Sequence, residues 1–447
     1  MIQPVQPSRL EAGAARLAHR HRCRRRAATM QRARVIIGTR QQAVLAFRRE
    51  AQSMDQKTEP ASATIYDRIL RRIQKHLAGR VRIPFEIRLW GDRAYRFGEG
   101  DPAVEILVHD RRGLSALGRL DELSICEAYM AGSLDVVGDM LRFVSLRGTL
   151  SDRHPLHYLW RRIAPWLIGR FTANRQAIAT HYEFANEFYL KFLDSTRCYS
   201  QALFEREDEA LETAQRRKLD FAIESCRLKP GDRVLDVGSG WGTFTEHAGR
   251  RGIAVTALTI SRQSEQFVAD LIQRLQLPAQ VLNQDFLMYR SPEPYDAIVI
   301  LGVMEHLPDY PEVLRRLQRL LKPGGRVYLD ASAFREKYVK PTFVSRYVFP
   351  GDHSYFCLHD FLGAVAKTQM DVLAVYNDRH SYFLTCKAWA ENLEAAREEI
   401  IRRWGEPLYR RFRLYLWGSA YAFLNRGMEA YRVLLERPRE QQSSSSA

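Results

Sequence analysis

Cysteine is scarce in this 447-residue chain: there are six, and none forms a Cys-x-x-Cys pair. Cys23, Cys126, Cys198, Cys226, Cys357 and Cys386 are scattered, which argues against both a zinc site and a disulfide framework. No metal is expected, and a reducing cytoplasm suits this usage. Long apolar runs are missing too, and none approaches the roughly 18 residues that a membrane-spanning helix needs. The first fifty residues lack lysine altogether and have only Glu11 and Glu50 as acids beside twelve arginines, so they hold +10 of the chain's +16. That composition suits an arm for nucleic acid or anionic lipid, or a transit-like segment. Without strand or turn organisation, and with Met30 and Met54 as later starts, residues 1–60 read instead as a disordered or mis-started leader. No nucleic-acid partner is expected, and the mildly basic remainder suits weak attraction to an anionic membrane surface.

What is present begins with a small α+β unit over residues 61–150. FEIRLW at 85–90 and Tyr95 to Phe97 alternate as strands about a Gly91-Asp92 turn, and Val104 to Val108 follows. Helices are expected over 113–120 and 134–146. Residues 151–180 read as a helical linker, where aromatic and basic residues from Tyr158 to Phe171 suit either a membrane interface or an interdomain seam. From residue 233 strands alternate with amphipathic helices: 253–260, 279–282, 295–301 and 325–329 as strands, 264–275 and 310–321 as helices. The pattern predicts a doubly wound parallel α/β sheet. Residues 371–376 and 382–385 are expected to close it as a terminal antiparallel hairpin, and 439–447 as a disordered tail.

The sequence RVLDVGSGWGT at 233–243 runs a buried strand into three alternate glycines, a turn that lets backbone approach a nucleotide-like ligand. A dinucleotide oxidoreductase would carry an acid about twenty residues on, to hold the ribose. Here that region reads LTISRQS at 258–264, so the dehydrogenase reading falls.

HYEFANEFY at 181–189, LDSTRCYS at 193–200, the glycine loop, TIS at 259–261 and MEH at 304–306 occur in order, and together they resemble the cyclopropane-fatty-acyl-phospholipid synthase family of S-adenosylmethionine-dependent methyltransferases. The resemblance covers residues 181–438. CEAYMAGSLD at 126–135 is similar to the small N-terminal domain of its phospholipid-acting bacterial members. It implies a Rossmann-like class I methyltransferase with a seven-stranded sheet. It also implies that Tyr199, Ser200, Asp236, Gly238, Gly240, Thr259, Ser261, Gln263, Asp285 and Phe286 bind S-adenosylmethionine. The acceptor implied is the double bond of an unsaturated acyl chain of phospholipid, at the inner membrane face. A homodimer and a partner reductase are further implied possibilities.

Ring-forming members of the family are thought to use bound bicarbonate as base, held by a cysteine, a glutamate, a histidine and a tyrosine. Glu305 and Tyr382 keep two of these positions. Gln201 replaces the cysteine, Asp330 the histidine, Ser332 stands just beyond, and Ser419 takes the place of a further cysteine. A carboxylate at Asp330 would repel bicarbonate. The expectation is therefore that Asp330, with Glu305, serves as a protein-borne base, or that proton loss follows another route to a methylated chain. Two other readings stand beside this one: a small-molecule methyltransferase, as in the alkaloid N-methyltransferases, and a non-catalytic lipid- or cofactor-binding relative.

Overall fold

Four amino-terminal strands, β1 (Phe85–Leu89), β2 (Ala94–Phe97), β3 (Val104–Val108) and β4 (Leu134–Gly138), form a sheet in the order β2-β1-β3-β4. The structure is a computed structural model describing residues 61–81, 83–90, 93–152, 186–337, 341–349 and 354–439. The leader, the 158–171 stretch, residues 181–185 of the first motif and residues 440–447 of the tail lie outside the described residues. The chain divides into two compact units, Met1–Leu70 with Leu89–Arg93, and Arg71–Arg88 with Ala94–Ala447. In the first, Tyr66 and Trp90 meet edge-on with ring centroids 5.3 Å apart. The site and cavities described below belong to the second.

The helices beside this sheet start where side chains cap them. Asp110 accepts from the Gly113 amide at 2.9 Å ahead of Arg111–Arg119, and Asp121 from the Ser124 amide at 2.8 Å ahead of Glu122–Met130. Gly113 is needed for closeness: a Cβ there would lie 2.3 Å from the Ser133 carbonyl oxygen. The helix expected over 134–146 is corrected. Leu134–Gly138 pairs with β3, and only Met140–Ser145 is helical, capped by Asp139. Its apolar residues satisfy either period over so short a run, and pairing with β3 decides.

The larger sheet has seven described strands: β5 (Arg233–Val237), β6 (Ala254–Thr259), β7 (Ala279–Asn283), β8 (Tyr295–Leu301), β9 (Leu321–Ala333), β10 (Asp371–Asn377) and β11 (Glu429–Glu436). Their order is β10-β11-β9-β8-β5-β6-β7, with β11 antiparallel to both neighbours. Both faces are covered, so the central strands read as continuous apolar runs. Leu235, Ile298 and Ile300 enter one core cluster, while Val234, Ala297 and Val299 enter the other. Strand order reverses between β5 and β8, and there the carboxyl ends open a crevice, the usual ligand position in such sheets.

The terminal hairpin differs from expectation. β10 and β11 do pair, but the helices Arg379–Ala395, Arg397–Trp404 and Glu406–Leu424 come between them, and residues 382–385 lie in the first. A short apolar run does not distinguish strand from helix. What settles it is Glu429–Glu436, which fills the slot between β9 and β10 along eight register pairs with β9. The last of these helices also holds the amino-terminal layer. Arg410, 8 % exposed, donates to the carbonyls of Tyr129 and Leu134 at 3.0 Å each, and Arg413 donates to the Tyr129 hydroxyl at 2.8 Å.

Candidate active site

At the carboxyl end of β5 the chain turns through Gly238, Gly240 and Gly242 with φ of 75°, 52° and 72°, a region that disfavours side chains. A Cβ on Gly238 would lie 2.4 Å from Val303, so this glycine lets the loop after β8 come close. A Cβ on Gly240 would meet nothing within 4 Å, so that turn presents bare backbone to the crevice. Two side chains steady the loop from beneath. The Ser264 hydroxyl donates to the Gly240 carbonyl at 2.6 Å, and the Thr245 hydroxyl to Asp236 Oδ2 at 2.7 Å. Burial pushes the Asp236 carboxyl up to about 6. Asp236 thus braces the loop from below.

Other expected cofactor residues gather at neighbouring strand ends. Thr259 closes β6, and its hydroxyl accepts from the Ser261 amide at 3.2 Å; Ser261 caps the helix Arg262–Leu275, and exposed Gln263 follows. Asp285 accepts from the Leu287 amide at 2.8 Å, and Phe286, 5 % exposed, packs in the core cluster. Near these ends lie two buried polar atoms without a described partner, Ser239 Oγ and Asn283 Nδ2. Bare glycine backbone, hydroxyls at the end of β6 and unpaired donors fit an adenosine bearing a charged side chain. Asn283 carries no motif, and only its place beside Thr259 in the β6–β7 register reveals it.

Next to this cradle is a pocket of about 650 Å³ whose walls include Tyr199, Glu305, Ser332, Tyr382, Trp389 and Tyr415. Glu305, 4 % exposed, joins this wall from the 3-10 turn Met304–His306. The Ser332 amide and hydroxyl both donate to Glu305 Oε1 at 2.7 Å, while Oε2 has no described partner. Burial pushes this carboxyl up to about 7, against the two Ser332 hydrogen bonds that pull it down. Rings crowd round: Tyr199 lies 5.1 Å from Trp389 and 5.3 Å from Tyr189, and Tyr382 stacks on Phe423 at 4.4 Å. A second cavity of about 1120 Å³ adjoins it and shares Tyr355, Tyr415, Ser419 and Met428.

Comparison with known proteins bears on this geometry directly, since the model of the mycolic acid cyclopropane synthetase family matches residues 170–433. The chain belongs to that family. A second family model, for a domain of unknown function, matches residues 72–150. A probable fatty acid methyltransferase of Mycobacterium tuberculosis is 31 % identical over 62 % of this chain and 66 % of its own length. The cyclopropane-fatty-acyl-phospholipid synthase of Escherichia coli is 29 % identical over 70 % of this chain and 83 % of its own. Among solved structures, a mycolic acid cyclopropane synthase complexed with S-adenosylhomocysteine is 26 % identical, with a TM-score of 0.55 over 59 % of this chain and 98 % of the other. The protein is therefore an S-adenosylmethionine-dependent methyltransferase of the type that modifies fatty acyl chains.

Two expected catalytic residues are absent from the walls of the pocket. Asp330, fully buried in β9, accepts from the Gly302 amide at 2.9 Å and faces the Lys218 ammonium at 3.4 Å. Gln201, also buried, donates to Asp378, which is ion-paired with Arg432. Arg432 stands opposite Asp330 in the β9–β11 register. These residues make a buried, charge-balanced network, an arrangement that favours support of the fold by Asp330 over the expected role as base. Ser200, expected at the methionine end of the cofactor, accepts from Lys218 at 2.7 Å and joins this network. Sequence reasoning missed Lys218, which sits in the helix Leu211–Ser225 with no motif around it. Tyr382 does line the pocket, but from the helix Arg379–Ala395 and not from a strand.

Among the described residues one trio, Cys357, His359 and Asp360, brings metal-ligating atoms within 4.8 Å of one another; it opens the helix Leu358–Val365 and includes no residue of the pocket. Gly240 supplies a test of the cradle. Gly240→Asp is expected to fold, because its Cβ meets no atom, yet to lose S-adenosylhomocysteine binding by at least tenfold in calorimetry, as the carboxylate enters the crevice at a strained φ.

Proposed function

We propose that this methyltransferase acts on the double bond of an unsaturated acyl chain esterified in membrane phospholipid, and that Glu305 takes the proton that ends the reaction. The observation that carries the reading is the Glu305 carboxylate in a ring-lined pocket, one oxygen held by Ser332 and the other unpartnered. The cradle residues Gly238, Gly240, Thr259, Ser261 and Asn283 would hold S-adenosylmethionine. When bound, it supplies an electrophilic methyl group. Attack by the alkene leaves positive charge on the acyl chain. Tyr199, Tyr382 and Trp389 offer ring faces to that charge and exclude water that would trap it as an alcohol. Proton loss to Glu305 Oε2 then restores neutrality, and the net change is one added CH2.

Glu305 is the base in this reading because positions 201 and 330, where ring-forming relatives are expected to hold bicarbonate, are committed to the ion network. That supports an open methylene or methyl-branched product over a ring, with any saturation left to a separate reductase. The phospholipid reading is supported by the Escherichia coli relative's name and by a basic surface. Arg71, Arg72, Lys75 and Arg80 are exposed along and just after the helix Ala61–Leu77, while Ile73 and Leu77 on its other side line the larger cavity. Among the described residues no helix is long and apolar enough to cross a membrane.

Expression in a host with monounsaturated lipids, followed by mass spectrometry of its phospholipid acyl chains, tests the proposal. Chains heavier by one CH2 are expected, with a double bond that hydrogenation removes under conditions that spare a cyclopropane. A ring product with strict dependence on bicarbonate would overturn the role of Glu305, and methylation of soluble amines alone would overturn the lipid substrate.

A further inference from the structure

The larger cavity has a use that the chemistry of the catalytic pocket leaves open. One wall comes from the amino-terminal layer, through Phe85, Ile87 and Leu117, and the other from the carboxyl-terminal half, through Phe343, Leu414 and Gly418. Its lining is overwhelmingly apolar. The charged side chains on its wall are Glu122 and Arg147, ion-paired with each other at 2.8 Å. Such a lining suits hydrocarbon and disfavours a phosphate or carboxylate head. Tyr355, Tyr415, Ser419 and Met428 border both spaces, so a chain reacting beside Glu305 can continue past them.

From these features we infer that the chamber holds the methyl-terminal segment of the acyl chain, and so sets how far from that end the double bond can lie when it reaches Glu305. This rests on the acyl-chain reading above. The amino-terminal layer then acts on substrate choice by forming half of a measuring wall. Arg410 and Arg413, which tie that layer to the helix Glu406–Leu424, keep the two walls in register.

Gly418 offers a direct test. It lies in that helix, lines the chamber, and a Cβ built on it meets nothing within 4 Å. Gly418→Trp should therefore fold and bind S-adenosylhomocysteine as the parent does, while filling part of the chamber. Phe343→Ala would enlarge the space from a neighbouring element. Full-length protein is assayed on vesicles of phospholipids carrying one cis double bond at graded distances from the methyl end. Binding of the matching free monounsaturated fatty acids is followed by calorimetry. The expected result is a shift of preference toward shorter methyl-terminal segments in Gly418→Trp, by at least tenfold in the ratio of short to long, and toward longer ones in Phe343→Ala. Fatty acid binding should shift in parallel. Folded variants with the parent's length profile in both measurements would overturn the chamber. If the parent binds fatty acids with the expected length dependence but methylates none of the vesicles, the functional reading falls and the chamber stands.

Discussion

Glu305→Gln is expected to reduce methyl transfer by about 10²- to 10⁴-fold, the usual worth of a positioned base, while binding S-adenosylhomocysteine as before and gaining stability above neutral pH. The carboxyl is an acid whose folded value, about 7, stands above its ordinary 4.5 because burial penalises the charge. The folded protein holds this proton more tightly than the unfolded chain does. Stability from that source is complete below about 4.5 and is lost as pH rises through 7. Above that, the ionised buried group costs on the order of 3 kcal/mol, which the glutamine avoids while still accepting from Ser332. Thermal unfolding at pH 8 should show the variant several degrees higher, and at pH 4.5 the two should converge. Turnover of the parent should rise through about pH 7 as the base ionises. A variant that turns over like the parent would remove Glu305 from the chemistry, whatever its stability. A group that destabilises the fold in its active form is what a functional carboxylate in an apolar pocket should look like.

Sequence made the centre of the molecule legible and left its carboxyl-terminal part obscure, for physical reasons. Strands β5 to β9 announce themselves because a parallel sheet covered on both faces needs apolar runs, and the glycines after β5 announce a turn of positive φ that disfavours side chains. Glu305 was readable because its motif is local. Tyr382 lines the pocket from a helix and not from the expected strand, since Tyr382 to Thr385 suits either until the ten further helical residues 386–395 are taken into account. Asn283 and Lys218 were missed because their meaning comes from partners distant in sequence: Asn283 from the β6–β7 register, Lys218 from Asp330 more than a hundred residues on. The same holds for the large chamber. Its walls come from residues near 85 and near 418, and no pattern within either segment points to the other.

Asp330 shows most clearly how partners change a residue's meaning, and its variants should separate support from chemistry. Alone, Asp330→Ala leaves Lys218 buried without its counter-ion and should cost about 3–5 kcal/mol, the range for breaking one side of a buried pair. Denaturant unfolding would show it as a lower midpoint with an unchanged slope. Lys218→Met should be similarly damaging, because the Asp330 carboxylate then lies in apolar surroundings beside Asp378, whose own charge remains paired with Arg432. The double variant Lys218→Met, Asp330→Asn removes one charge of each sign. The Gly302 amide keeps an acceptor, and most of the lost stability should return, so the two changes are far from additive. What then happens to turnover decides the role. A base at position 330 would leave the double variant folded, able to bind S-adenosylhomocysteine, and inactive. Support of the fold predicts methyl transfer close to that of the parent, with the rise near pH 7 still present, because Glu305 and Ser332 are untouched. Gln201 and Asp330 then depart from the family pattern together because both belong to a charge-balanced network at the end of the sheet, leaving the carboxylate of Glu305 to meet the substrate.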